Sequence, residues 1–190
     1  MRKENFSCVM AYVVNKKLRN AIVSFFHSIP DELLFNGRDE DGDRFDKPPD
    51  PHVTILYGIK TSNINEIIKP FKDIHYISFK LGKVTFFDHS NKKWMVLKVE
   101  VQSNTLDMLN NRIKRELDFE KSFDEYHPHI TIAYLKKNSE VKQKYNGIDI
   151  FNNFHDITNI IDISTGNGHK YFYNLTEKEL RKAKWEKEMN

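Results

Sequence analysis

Two histidines and two threonines recur in this chain within the same frame. The stretch Pro51-His52-Val53-Thr54-Ile55-Leu56-Tyr57 returns 77 residues later as Pro128-His129-Ile130-Thr131-Ile132-Ala133-Tyr134. Five of the seven positions are identical, and the other two are apolar in both copies. Each copy is short and rich in apolar, β-branched residues, the composition of a strand. On a strand, residues i and i+2 project from one face about 7 Å apart. His52 therefore projects with Thr54, and His129 with Thr131. Two such strands facing across a cleft bring two imidazoles and two hydroxyls to one small volume, a set suited to cleaving a phosphodiester. A neutral histidine removes a proton from the attacking hydroxyl or water, a protonated one donates to the leaving oxygen, and the roles can exchange in a second step. The threonine hydroxyls can donate to the non-bridging oxygens as charge builds on them.

A single His-x-Thr says little, because a histidine on a strand is usually a packed or surface residue. Duplication carries the inference. Preserving a strand for structure alone would more naturally keep the apolar positions than two exposed polar ones. Tyr57 and Tyr134 stand at odd spacing from their histidines, so strict alternation predicts that they face the opposite side and pack there. His127-Pro128-His129 also makes a His-x-His pair. A metal would need a third ligand, and neither histidine strand carries an adjacent carboxylate. The expectation is no metal and no cofactor.

Around the repeat the chain alternates strands and helices. Residues 6–14 read as a strand, and Lys16–Ser28 as a helix with Leu18, Ala21, Ile22 and Phe25 at helical spacing, ended by Pro30. Residues 36–50, dense in Gly, Asp and Pro, form a loop long enough for a functional role. The loop is not an EF-hand, because Gly37 stands where the first acidic ligand would be. Residues 62–72 read as helical, and 75–87 with 92–102 as a hairpin. A helix over 104–118 presents Leu106, Leu109, Ile113 and Leu117 on one face. Residues 156–165 and 170–175 flank the Gly166-Asn167-Gly168 turn, and Thr176-x-x-Glu179 reads as a capping box opening a charged C-terminal helix. The class is α+β, and no linker divides the chain, so residues 1–190 form one domain.

Composition limits the rest. With 190 residues, 39% hydrophobic and 30% charged, the chain can build a core, and global disorder is excluded. A formal charge of +3 permits a phosphate-bearing ligand without arguing for one. Cys8, the single cysteine, cannot form an internal disulfide and reads as a buried thiol. No apolar run is long enough for a membrane span, and no cleavable leader is evident, so a cytoplasmic location is expected.

The paired motifs resemble those of the 2H phosphoesterase superfamily, which includes 2′,5′-RNA ligase-like proteins and RNA 2′,3′-cyclic phosphodiesterases. The resemblance extends over most of the chain. It implies a bilobal fold: two antiparallel sheets with flanking helices and a central groove holding the motifs. The wording PHVTILYG with HPHITIAY is most similar to the phage anti-CBASS branch, whose members degrade cyclic di- and trinucleotide immune signals. That resemblance implies metal-independent hydrolysis of 3′–5′ bonds in the host cell cytoplasm, with His52, Thr54, His129 and Thr131 as the catalytic set. No obligate protein partner is implied. The substrate would be a cyclic oligonucleotide or, on the alternative reading, a short RNA with a 2′,3′-cyclic phosphate or a 2′–5′ linkage. The family also holds bases with aromatic rings, and Tyr12 and Trp94 are candidates by position, with ordinary core packing the competing role. Arg38 and Lys47, in the long loop, either meet phosphates or are simply solvated, and Trp185 reads as a helix-packing residue.

Overall fold

The computed structural model describes residues 6–37, 46–88, 90, 92–120 and 125–183. Among the described residues nine strands form two antiparallel sheets. In the first, β2 (His52–Ile59), β1 (Ser7–Tyr12), β7 (Ile160–Ser164), β8 (Lys170–Asn174) and β9 (Glu179–Lys182) lie in that order. In the second the order is β5 (His129–Lys136), β4 (Trp94–Gln102), β3 (Ile77–Phe87) and β6 (His155–Thr158). The class is α+β, as the sequence predicts. Each motif strand ends its sheet, and β2 and β5 touch one another.

The helices are α1 (Lys16–His27), α2 (Ile64–Ile68), α3 (Asn104–Glu116) and α4 (Ser139–Tyr145). Asn15 caps α1, its side-chain oxygen accepting from the amides of Lys17 and Leu18, and Ser103 caps α3 through Leu106. Each half of the molecule lends its helix to the other. Helix α1, which follows β1, rests on β5, and α3, which follows β4, rests on β2. The buried stripes Leu18, Ile22, Phe26 and Leu106, Leu109, Ile113 thereby join one continuous core. At about 1.5–3 kcal/mol for each large side chain buried, these stripes fix the two motif strands against each other. Asp156 adds a polar tie: from β6 its carboxylate accepts from the amides of Val14 and Asn15, at the end of β1. No helix among the described residues is long and apolar enough to cross a membrane.

Two expectations from the sequence are corrected. Residues 156–165 do not make one strand. They split at Asn159 into β6 and β7, which belong to different sheets, and the break is held by the buried Thr158, whose Oγ1 accepts from the Ile160 amide at 3.1 Å. Thr176-x-x-Glu179 does not start a helix. Asn174 Oδ1 accepts from the Thr176 and Glu177 amides at 2.9 and 3.1 Å, closing an Asx turn, and Lys178 turns at φ 57°. The chain reverses and residues 179–182 pair with β8, placing Leu180 beside Tyr173. Arg38 and Trp185 lie outside the described residues.

Candidate active site

Both motif strands carry a β-bulge at the same place. On β2, Met10 pairs with Thr54 but Val9 with Leu56, so Ile55 is the extra residue. On β5, Lys98 pairs with Thr131 but Leu97 with Ala133, so Ile132 is the extra residue. A bulge adds one residue to one strand and reverses the in–out alternation beyond it. Tyr57 and Tyr134 therefore share the face of their histidines, contrary to the alternation argument. Tyr57 is 51% exposed and meets Phe6 edge-on, while Tyr134 stands edge-on to Trp94 at 5.2 Å. The signal in the sequence was the apolar pair, Ile55-Leu56 and Ile132-Ala133, which breaks the period of two.

The bulge on β2 has a dedicated partner. Asn110, 2% exposed on α3, donates from Nδ2 to the Ile55 carbonyl at 2.6 Å. Asn110→Leu leaves that carbonyl unpaired, which costs about 1–3 kcal/mol. The expected result in a thermal melt is a Tm lower by about 3–10 °C.

The two histidines are held identically. His52 Nδ1 lies 2.8 Å from the Asp50 carbonyl, and His129 Nδ1 lies 2.7 Å from the His127 carbonyl. A carbonyl can only accept, so Nδ1 is the protonated nitrogen in both rings. In each neutral imidazole the lone pair is then on Nε2, free to take or return a proton. Tyr126 joins the motifs directly: its buried hydroxyl donates to the Thr54 carbonyl at 2.9 Å, three residues ahead of His129. Burial pushes that phenol's pKa well up, so it remains a donor.

Directly paired residues of antiparallel strands share a face. On the first sheet, His52 pairs with Tyr12, Thr54 with Met10, and Met10 with Asp162, which pairs in turn with Phe172. Tyr12 thus stands beside His52, edge-on to Phe172, with the Arg19 guanidinium 4.6 Å above its ring. On the second sheet, His129 pairs with Glu100, Thr131 with Lys98, and Lys98 with Thr85. Trp94 is on this face too, six residues along β4 from Glu100 and hence about 20 Å from the His129 rung. The structure places His52, Thr54 and Tyr12 on one face of the first sheet and His129 and Thr131 on one face of the second, with the two motif strands in contact. It leaves Trp94 at the far end with Tyr134, while Lys47 is exposed in the loop.

The surroundings of His129 are drier. Its ring meets the edge of Phe87 at 4.8 Å, and burial is the main cause lowering its pKa below the ordinary histidine value. The His127 carbonyl works against that shift, and the positive charges of Lys98, His52 and His127 add to it. His52 and His129 are therefore close enough to feel each other's charge.

The sequence reading missed Lys98, Phe87 and Asp162. Lys98 is 6% exposed, donates to Thr85 Oγ1 at 2.8 Å, and lies 4.4 Å above the Phe87 ring. Cys8 is half-buried on the face of Tyr57, and burial with the Asp162 charge pushes its thiol up to about 12. His127 is exposed, with Nε2 3.5 Å from a Glu125 carboxylate oxygen. Among the described residues no three His, Cys, Asp or Glu side chains are grouped to hold a metal ion.

Known structures share this architecture at low identity. The protein TT0787 of Thermus thermophilus matches with a TM-score of 0.59 and 12% identity, covering 93% of this chain and 97% of that one. Escherichia coli LigT in its apo form gives 0.58 and 13%, covering 95% of each chain. Kluyveromyces marxianus Usb1 with uridine monophosphate gives 0.54 and 9%, covering 89% of this chain and 98% of that one. A comparison of the sequence with curated proteins gives no significant match. A family model described as the 2′-5′ RNA ligase superfamily matches residues 31–156, a span that holds both His-x-Thr motifs. This chain belongs to the 2′-5′ RNA ligase superfamily.

Proposed function

We propose that this protein is a metal-independent phosphodiesterase that hydrolyses 3′–5′ bonds of cyclic di- and trinucleotide immune signals, with His52 and His129 as its acid–base pair. The observation that carries the reading is the matched pair of Nδ1 bonds to backbone carbonyls, which leaves two Nε2 atoms of one groove to exchange protons with a substrate. Thr54 and Thr131, two residues on from each histidine and on the same faces, donate to the non-bridging oxygens. A ribose 2′-hydroxyl or a water serves as nucleophile. Tyr12 supplies a ring for a base next to His52, and Trp94 with Tyr134 a second aromatic surface further along the groove. Stacking on such a ring contributes about 1–3 kcal/mol per base. The motif wording supports a cyclic oligonucleotide as substrate and, with it, a role in evading anti-phage immunity in the host cytoplasm.

The second reading is an RNA-processing enzyme that opens 2′,3′-cyclic phosphate ends or acts on 2′–5′ linkages. It is favoured by the likeness to Usb1 with uridine monophosphate and to LigT complexed with 3′-AMP, the latter at 13% identity and a TM-score of 0.55. The same groove would serve it, with different base contacts.

One experiment separates the two. The protein is incubated with 3′,3′-cGAMP, a cyclic trinucleotide and an RNA ending in a 2′,3′-cyclic phosphate, in excess chelator, and the products are read by mass spectrometry. The expected result is linearised cyclic nucleotide, with a bell-shaped dependence of rate on pH. Turnover of the RNA end alone selects the second reading. Activity lost in chelator and restored by one divalent ion replaces the two-histidine mechanism. Nucleotides bound but intact leave a binding module.

A further inference from the structure

The two sheets carry different groups on matching rungs: Tyr12 stands beside His52 where Glu100 stands beside His129, and the threonine rungs differ in buried charge. By the internal two-fold, β1 stands to β2 as β4 stands to β5. Met10 beside Thr54 therefore occupies the place that Lys98 occupies beside Thr131. One strand further in, Asp162 on the first sheet answers Thr85 on the second. The rungs read Thr54–Met10–Asp162 on the side of His52 and Thr131–Lys98–Thr85 on the side of His129. One histidine has a buried carboxylate in its wall and the other a buried ammonium.

Both charges are fixed rather than free to wander. Lys98 is held by Thr85 and by the Phe87 ring, the same ring whose edge meets His129, with Glu100 Oε1 4.0 Å away. Asp162 is 3% exposed, and its Oδ2 accepts from Lys170 Nζ at 2.8 Å. Its other oxygen, Oδ1, is buried without a hydrogen-bond partner among the described residues. A buried charge lacking full compensation acts strongly on its neighbours, because little water screens it.

We propose that Lys98 and Asp162 are positioning residues that set the direction of proton transfer, making His129 the base and His52 the acid. The inference rests on the two-histidine reading of the site and adds the polarity that reading leaves open. In the first step the nucleophile's O–P bond forms as its proton passes to His129 Nε2. The P–O bond to the leaving oxygen breaks as that oxygen takes the proton from His52 Nε2. Each histidine then returns to its starting form by proton exchange with water, so protons and charge balance. The charged groups facing His129 are Lys98 and Glu100 on β4, His52 on β2 and His127 in the preceding loop. Those around His52 are His129 on β5, Asp162 on β7 with its partner Lys170 on β8, and Asp50 with its partner Arg19, whose guanidinium lies 2.9 Å from the Asp50 carboxylate. The charge of Lys98 acts on His129, and that of His52 on Asp162.

The test compares pH profiles of kcat/KM for the wild type, Lys98→Met, Lys98→Arg and Asp162→Asn. With the ammonium gone, His129 holds its proton to higher pH, so in Lys98→Met the acidic limb moves up. At the acid end the variant loses about ten-fold more activity than at its optimum. Asp162→Asn moves the alkaline limb down, and Lys98→Arg restores the wild-type profile. Both losses narrow the bell. With the roles reversed the limbs would move the same way, because the lower pKa of the pair sets the acidic limb in either case, but the plateau of kcat/KM would rise about ten-fold in Lys98→Met instead of staying level; that rise overturns the proposal, as does a profile unchanged in Lys98→Met. NMR titration of the His129 ring in wild type and Lys98→Met reads the coupling without substrate. An upward move supports it, and no move sinks it even if the protein turns substrate over. A wild type that cleaves no nucleotide, with the upward move still seen on going to Lys98→Met, places the failure in the functional reading, and Lys98 still governs His129.

Discussion

Alanine at either His52 or His129 is expected to lower turnover by about 10²–10⁴-fold, the usual weight of one general acid–base step. The two losses should be of similar size, and the double variant should be little worse than either single one, because residues that act as a unit are not additive. The side chains are only partly buried, and each spends one nitrogen on a backbone carbonyl two residues behind it. Their removal takes away little packing, so melting temperatures should stay within a few degrees of the wild type. Thr54→Val and Thr131→Val keep the strand's shape and remove only a hydroxyl, and their losses should be smaller. Single-turnover kinetics on the cyclic dinucleotide make the measurement. If one histidine proved dispensable, the two-sided model would fail.

A second large effect concerns stability. Gly58 turns at φ +90°, and a Cβ at that position would lie 2.6 Å from the Glu120 backbone oxygen. Its carbonyl accepts from the Glu120 amide at 2.8 Å, and next to it Ile59 bridges to Phe119. Gly58→Ala therefore meets two penalties together: a left-handed conformation costing about 1–2 kcal/mol, and overpacking against backbone worth about 1–3 kcal/mol. The expected fall in Tm is about 6–15 °C. Gly147→Ala is the control. It sits at φ +82° with no atom of the described residues within 4 Å of the added carbon, so it meets only the first penalty. Equal Tm losses in the two variants would show that the contact with Glu120 is not felt.

The α+β class and the pair of motif strands were legible in the sequence, but the register that frames them was not. The repeated heptad located both histidines and both threonines, because strand alternation needs no knowledge of neighbours over three residues. Alternation misleads beyond the bulge, since an inserted residue depends on pairing with β1 and β4, far away in the chain. The same limit hid Lys98. In Trp94-Met95-Val96-Leu97-Lys98 it reads as a solvated lysine, and only the placement of Phe87 and Thr85 on the next strand makes it a buried cation. Residues 179–182 are charged and favour helix locally, yet the Asx turn at Asn174 and the open edge of β8 draw them into a sheet. Local propensity lost to tertiary pairing there.

The motif strands are also the outermost strands of their sheets, and an outermost strand is where a foreign chain can add on. Here the outward backbone of β2 is taken up piecemeal, by the Tyr126 hydroxyl, the Asn110 amide and the Phe119 bridge. That of β5 meets Leu34 and the Phe35 amide. Side chains and isolated bridges offer no continuous ladder for an incoming peptide to copy. The contacts that hold β2 and β5 at the ends of their sheets thus also guard the protein against polymerising through them.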